Sequence, residues 1–193
     1  MAQELELKFA ATVQQQQAIK EAFPGPIQDF SMETTYYDTS DGALARGRIT
    51  LRRRMENGIS VCTLKMPGVG AARGEWDCLK DTIEEAIPEL CKLSGYHQLG
   101  LLTIHGVLPL CGARFTRQAL LITQPDFTAE LALDSGVLLG GGKESPLCEV
   151  ELELKEGSEA ALNDFAAAFA QRFGLKIESK SKFSRAKALA KGE

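Results

Sequence analysis

The 193-residue chain is poor in several features that would each have pointed to one class of function. It has one tryptophan, two histidines and five scattered cysteines (Cys62, Cys78, Cys91, Cys111 and Cys148) with no C-x-x-C pair, which excludes a structural zinc centre of the Cys/His kind. No uncharged apolar run approaches the ~20 residues of a membrane span. The opening MAQELELKF alternates charged and apolar residues and lacks the basic-then-apolar order of a secretory leader. Positive charge is not in excess either: 22 Lys and Arg stand against 26 Asp and Glu, a formal net charge of −4. No whole-molecule attraction therefore draws the chain to nucleic acid or anionic lipid. These absences predict a soluble, reduced, cytoplasmic protein without nucleic-acid or membrane partners, in which any polyanion is gripped by a local cluster of bases.

The chain is 44% hydrophobic and 25% charged, enough apolar content for a packed core. Glu4, Glu6 and Lys8 alternate with Leu5, Leu7 and Phe9, the period of a strand. A helix is predicted over 11–22, with Val13, Ala18, Ile19 and Ala22 on its apolar side and the run Gln14–Gln17 on a solvated face. It is stopped by Pro24-Gly25-Pro26. Strands are predicted at 33–38, 49–54, 59–66, 73–79, 114–123, 127–134 and 147–155, separated by Asp41-Gly42, Asn57-Gly58 and other turn signals. Thr82 and Glu85 predict a capped helix over 83–94, and residues 95–112 read as short helical turns. Ser158 and Gly174 bracket a helix over 159–173. Gly140-Gly141-Gly142-Lys143 reads as a hairpin loop. A single α+β domain over 1–193, dominated by an antiparallel sheet or barrel, accommodates about eight strands and three or four helices.

The polar faces of these strands are dense in charge and sorted by sign. Glu149, Glu151 and Glu153 share one face of their strand, with Val150, Leu152 and Leu154 on the other. Arg52 and Arg54 share a face, as do Glu130 and Asp134. Carboxylates at i, i+2 and i+4 lie within about 7 Å of their neighbours and repel unless cations compensate. Carboxylate-rich strands alternating with Arg/Lys strands suggest facing walls of one cavity. Hard oxygen ligands select Mg²⁺ or Mn²⁺, and guanidinium and ammonium groups select phosphate oxygens. Metal plus polyphosphate is the combined reading.

These residues resemble the signature of the triphosphate tunnel metalloenzymes, or CYTH family. The likeness rests on Glu4-Leu5-Glu6-Leu7-Lys8, Tyr36-Tyr37-Asp38-Thr39, Leu51-Arg52-Arg53-Arg54, Thr63-Leu64-Lys65 and Arg73-Gly74-Glu75. It continues through Arg117, Leu133-Asp134, the Glu149–Leu154 strand and Ser181-Lys182-Phe183-Ser184-Arg185, and so covers essentially the whole chain. The opening and the E-x-E-x-E strand look most like the bacterial inorganic triphosphatase branch, which often adds a C-terminal helical phosphate-binding domain that is not read in this sequence.

The resemblance implies an eight-stranded antiparallel β-barrel, charged inside and clad outside by helices. It implies a hydrolase that splits inorganic tripolyphosphate to pyrophosphate and orthophosphate. Glu4, Glu6, Asp134, Glu149, Glu151 and Glu153 would hold Mg²⁺ or Mn²⁺, two ions during turnover. Lys8, Arg52, Arg54, Lys65, Arg73, Arg117, Lys182 and Arg185 would hold the triphosphate. Glu4, Glu6, Lys8, Arg52, Arg54, Lys65 and Tyr37 are the catalytic candidates. Tyr37 matches the tyrosine of an activating lysine–tyrosine pair, whose lysine is replaced here by Phe115. Thiamine triphosphatase, class IV adenylate cyclase and a non-catalytic polyphosphate- or nucleotide-binding module are the alternatives, and a monomer or homodimer is expected.

Overall fold

Alternation in the sequence becomes strand, and cap residues set the helices. The computed structural model describes residues 5–67 and 73–193. In chain order the elements are β1 (Glu6–Ala10), α1 (Val13–Ala22), β2 (Gln28–Asp38), α2 (Ala43–Arg46), β3 (Thr50–Glu56), β4 (Ile59–Pro67) and β5 (Arg73–Leu79). They continue with α3 (Ile83–Ser94), α4 (Gln98–Leu102), β6 (Leu108–Gln124), β7 (Phe127–Gly140), β8 (Lys143–Gly157), α5 (Glu159–Phe173), β9 (Lys176–Ile177) and α6 (Lys182–Lys191).

Local chemistry sets several of these boundaries. Thr12 and Gln15 close a reciprocal capping box at the start of α1, and Ser158 and Ser181 cap α5 and α6 through Ala161 N–H and Ser184 N–H. Gly174 ends α5 in the left-handed conformation. Gly141 and Gly142, both at positive φ, turn β7 into β8 as a two-residue hairpin.

The nine strands among the described residues form one antiparallel sheet in the order β5-β4-β3-β2-β6-β7-β8-β1-β9. This corrects the expected eight-stranded barrel: β5 and β9 are the two ends of the sheet, and it does not close on itself. The physical reason lies in β1. β8 takes one flank of β1 along its length, and β9 takes the other at Phe9 and Ala10, with Glu178 N–H bonded to the Lys8 carbonyl beside them, so β9 and not β5 is its neighbour on that side. The two-residue β9 offers only a short ladder of its own.

The sheet has two unlike faces. On one, Phe9, Leu131, Leu133, Val150 and Leu152 pack under α1 and α5, and Leu51, Cys62 and Leu64 pack under α3 and α4. The other carries the charged residues, but it is not charged throughout. Met32, Tyr36, Cys111, Ala113, Phe115, Leu138 and Leu147 line part of it and are covered by Phe183, Ala186, Leu189 and Ala190 of α6. Gly140 permits that close approach, because a Cβ there would sit 2.4 Å from the Ala186 carbonyl oxygen. Helix α6 thus lies across the face that the sequence reading left to charges alone.

Candidate active site

Cross-strand register determines which charges meet. Arg117 of β6 stands opposite Asp134 of β7, and Asp134 opposite Glu149 of β8. Glu151 stands opposite Lys8 of β1, and Glu153 opposite both Glu6 and Glu130. On the other flank Arg52 pairs across from Tyr36 and Thr63, and Arg54 from Thr34 and Val61. Directly opposed residues point to the same side of a sheet, so all of these share the α6 face.

Asp134, Glu149 and Glu151 are buried, and one carboxylate oxygen from each lies within 4.8 Å of the others. Three cations balance them. Arg117 makes a bidentate pair with Asp134 (Nε–Oδ1 and Nη2–Oδ2 both 2.8 Å) and a further hydrogen bond to Glu151. Lys182 Nζ reaches Asp134 Oδ2 at 2.8 Å and Glu151 Oε1 at 2.7 Å, and also contacts Glu149. It sits 5.1 Å from the centre of the Phe115 ring. Arg185 bonds Glu149 and comes within 3.7 Å of Glu178. Burial pushes the Glu151 carboxyl up, but the Lys182 and Arg117 charges overcome it and hold the group down at about 2. Burial dominates at Glu149 and at Glu6, and both are raised. Lys182 is the mirror case: its burial disfavours the charge, and Glu151, Asp134 and Glu149 together raise it well above the usual lysine range.

A stability prediction follows from the Glu151 shift. A carboxyl held down in the folded state contributes stability above its ordinary value near 4.5, and that contribution is lost as pH falls through about 2. Thermal melts of the wild type are expected to fall in Tm across this window, and Glu151→Gln is expected to flatten that part of the curve. An equal acid slope in both proteins would reject the assignment.

The β3–β5 flank is rich in bases. Glu75 takes both Arg52 (Nη2–Oε1 3.3 Å) and Lys65 (Nζ–Oε2 2.6 Å), and Asp77 accepts a hydrogen bond from Thr63 at 2.5 Å. Arg54 has no carboxylate and no hydrogen-bond partner among the described residues, and its buried Nε is unsatisfied. The Nε of Arg52 and the hydroxyl of buried Thr34 are in the same condition. Burial and then the neighbouring Arg52 charge push the Arg54 guanidinium down to about 10. Unsatisfied buried donors clustered on one face are expensive unless an anion completes them.

The sequence-predicted residues divide accordingly. Asp134, Glu149, Glu151, Arg117, Lys182 and Arg185 come together in one ion-paired cluster, with Lys8 across from Glu151. Arg52, Arg54 and Lys65 gather on the other flank of the same face. Glu6 lies 3.8 Å from Lys8, and Glu153 is held by Lys155 at 2.8 Å; neither joins the carboxylate triad. Glu4 lies outside the described residues, and Arg73 opens β5. Tyr37 is placed elsewhere. It stands across from Leu51 and packs in the α3/α4 cluster on the face opposite the carboxylate triad, and burial raises its hydroxyl against the opposing Arg53 charge. Sequence reasoning missed Thr34 and Gln16. The expected solvated glutamine face is corrected at Gln16, which is 6% exposed and bonds the backbone behind the triad. Its position three residues before Ile19, on the buried side of α1, was the available signal.

An α+β fold with an antiparallel sheet carries, on one face, a buried carboxylate cluster consistent with a divalent-metal site and, beside it, the Arg54 guanidinium with no ion-pair partner among the described residues. The CYTH domain model matches residues 2–186, and the chain belongs to that family. The inorganic triphosphatase of Haemophilus influenzae is 29% identical over 191 residues, taking in 96% of this chain and 54% of that protein. The chain therefore spans about half the length of this curated relative. Among solved structures, it is similar to a Hippeastrum adenylyl cyclase candidate described as having a dominant triphosphatase activity (TM-score 0.66, 18% identity, 99% of this chain and 96% of that one). It is likewise similar to an adenylate cyclase candidate from Bacillus halodurans (TM-score 0.64, 20% identity, 94% and 96%). At these identities the likeness is one of fold. No helix among the described residues is long and apolar enough to cross a membrane.

Proposed function

We propose that the protein is a metal-dependent hydrolase that cleaves the terminal phosphoanhydride of inorganic tripolyphosphate, with residues 1–193 acting as one CYTH domain. The observation that carries this reading is the pairing, on one sheet face, of a hard-oxygen triad with the half-buried Arg54 guanidinium, which has no ion-pair partner among the described residues. A pure polyanion binder gains nothing from three added carboxylates unless a cation is to be held there. The donor set fits Mg²⁺ or Mn²⁺: three carboxylates within 4.8 Å of one another, with no thiolate or imidazole among them. Asp134, Glu149 and Glu151 would hold the first ion, and Glu4, Glu6 and Glu153 are the candidates for a second. A divalent cation bound there supplies charge neutralisation on the phosphate oxygens.

The chain's own residues supply the rest. Arg54, Arg52 and Lys65 receive phosphate oxygens and satisfy the donors left open on that flank, with Arg73 and Lys8 as further contacts. Arg117, Lys182 and Arg185 face both the carboxylates and the incoming phosphates, so they can transfer part of their charge from one to the other as substrate binds. Holding the triphosphate extended between the two flanks orients its terminal phosphoryl group for in-line attack by water. No side chain is assigned as general base.

The contacts offered are to phosphate alone. Trp76 packs in the α3/α4 cluster on the opposite face and is unavailable to stack on a nucleobase. A site built for phosphates gains nothing from an attached nucleoside. The kcat/KM for tripolyphosphate is expected to exceed that for ATP by at least ~10-fold, about 1.4 kcal/mol. Pyrophosphate and orthophosphate are the expected products, followed by ³¹P NMR with Mg²⁺ or Mn²⁺ present. Cyclic AMP as the main product from ATP, or thiamine triphosphate outrunning tripolyphosphate, would overturn the choice of substrate.

A further inference from the structure

Behind the carboxylate triad, on the opposite face of the sheet, a single side-chain amide joins the two strands that carry it. Gln16 Nε2 donates to the carbonyl oxygens of both Asp134 and Glu149, each at 3.0 Å. Its own Oε1 accepts from Ser135 Oγ at 2.7 Å, which fixes which end of the amide points at the carbonyls. The amide and its two carbonyls are buried: Gln16 is 6% exposed, Asp134 and Glu149 are fully enclosed, and Ser135 is half-buried. Asp134 and Glu149 are direct cross-strand partners in β7 and β8. One amide therefore ties together the main chain of two carboxylate-bearing residues from behind, while Lys182 bridges their side chains in front.

We infer that Gln16 is a positioning residue for metal binding, acting through the backbone of Asp134 and Glu149 to hold their carboxylates at one ion's width. This inference rests on the proposed metal role of the triad. A carboxylate pair closes on a cation only if its two main-chain anchors keep their separation, and small displacements of ligands are costly for affinity. Removing the amide takes from each of these two carbonyls the side-chain donor it has beside its ladder bond and loosens the separation of β7 and β8 behind the carboxylates. Metal affinity is then expected to drop on the 10- to 100-fold scale typical of groups that orient ligands without touching the ion.

Helix α1 provides an internal control. Gln15 makes a similar pair of bonds, Nε2 to the carbonyl oxygens of Phe173 and Gly174 at 3.0 and 2.9 Å, but ties α1 to the end of α5 instead of to the triad, and its Oε1 also accepts from Thr12 N–H in the α1 capping box. The test compares Gln16→Met with Gln15→Met, both of similar length and both without the amide. Mn²⁺ is titrated into each protein, and the free-ion EPR signal reports binding without recourse to turnover. Both variants are expected to lose some thermal stability, while only Gln16→Met raises the Mn²⁺ half-saturation, by ~10-fold or more. Ser135→Ala, which keeps the bonds to both carbonyls but frees the amide to rotate, is expected to shift it in the same direction by a smaller factor. If Gln16→Met does not fold, the Ser135→Ala titration decides alone. Unchanged Mn²⁺ affinity in the Gln16 or Ser135 variant, or an equal shift in Gln15→Met, would make Gln16 merely structural. A wild type that takes up no Mn²⁺ would remove the metal reading and the inference together.

Discussion

Glu149→Gln and Glu151→Gln are each expected to reduce tripolyphosphate turnover by ~100-fold or more, the scale at which a catalytic cation is mispositioned. Each substitution keeps the shape of the side chain and removes one of three charges. The loss has a second consequence that makes the result diagnostic. Glu149 is contacted by Lys182 and Arg185, and Glu151 by Lys182 and Arg117, so each variant leaves buried cations short of a partner. Breaking a buried pair from one side typically costs about 3–5 kcal/mol. A large fall in Tm is therefore expected with the fall in activity, and turnover must be assayed well below the lowered melting point. Near-wild-type turnover in both folded variants would remove these two residues from the metal site.

Arg54→Met is expected to move stability and activity in opposite directions. In the free protein Arg54 is half-buried with its Nε enclosed, beside a second arginine, and without an ion-pair partner among the described residues. Replacing it with an apolar side chain of similar length removes an uncompensated charge, so Tm should rise. The same change deletes the group best placed to meet a phosphate oxygen. A loss of ~100-fold in kcat/KM, about 2.7 kcal/mol, is expected from one charge-assisted contact of this kind. Arg54→Lys should recover only part, because an ammonium cannot make the forked contact. Melts with and without tripolyphosphate separate the two effects: ligand should stabilise the wild type strongly and Arg54→Met weakly. A variant that loses stability and keeps its activity would show Arg54 to be a structural cation.

Much of the charged cluster was legible because charge is laid down with the period of the strand. Glu149, Glu151 and Glu153 declare a face by alternation alone, and Ser158 and Gly174 mark α5 to the residue. What alternation cannot reveal is how segments distant in the chain are paired. That β9 occupies the outer flank of β1 and so leaves the sheet open depends on contacts between residues about 170 positions apart, such as Phe9 with Ile177. Helix α6 escaped notice for a related reason. Phe183, Ala186 and Ala190 are spaced for one helical side, but lysine, serine and arginine intervene, and only docking on Met32, Phe115 and Leu138 makes that side a core. Gln16 was misread because a polar residue on a helix is solvated by default. Two backbone carbonyls exposed at the back of a sheet reverse that default, and they are visible only once the strands are in place.

Chain order gives the placement of α6 a consequence for biosynthesis. The three carboxylates of β7 and β8 are made some 30 to 50 residues before Lys182 and Arg185, two of the three cations that neutralise them. Until residues 182–191 have left the ribosome, the growing chain carries a hairpin with an acidic cluster facing an unfilled apolar floor. Of the three cations only Arg117 is present at that stage, and the floor lacks its cover. Docking of α6 settles both at once, since one side of the helix fills the floor and its first turn delivers the cations. Completion of this face is thereby tied to synthesis of the helix rather than to formation of the sheet.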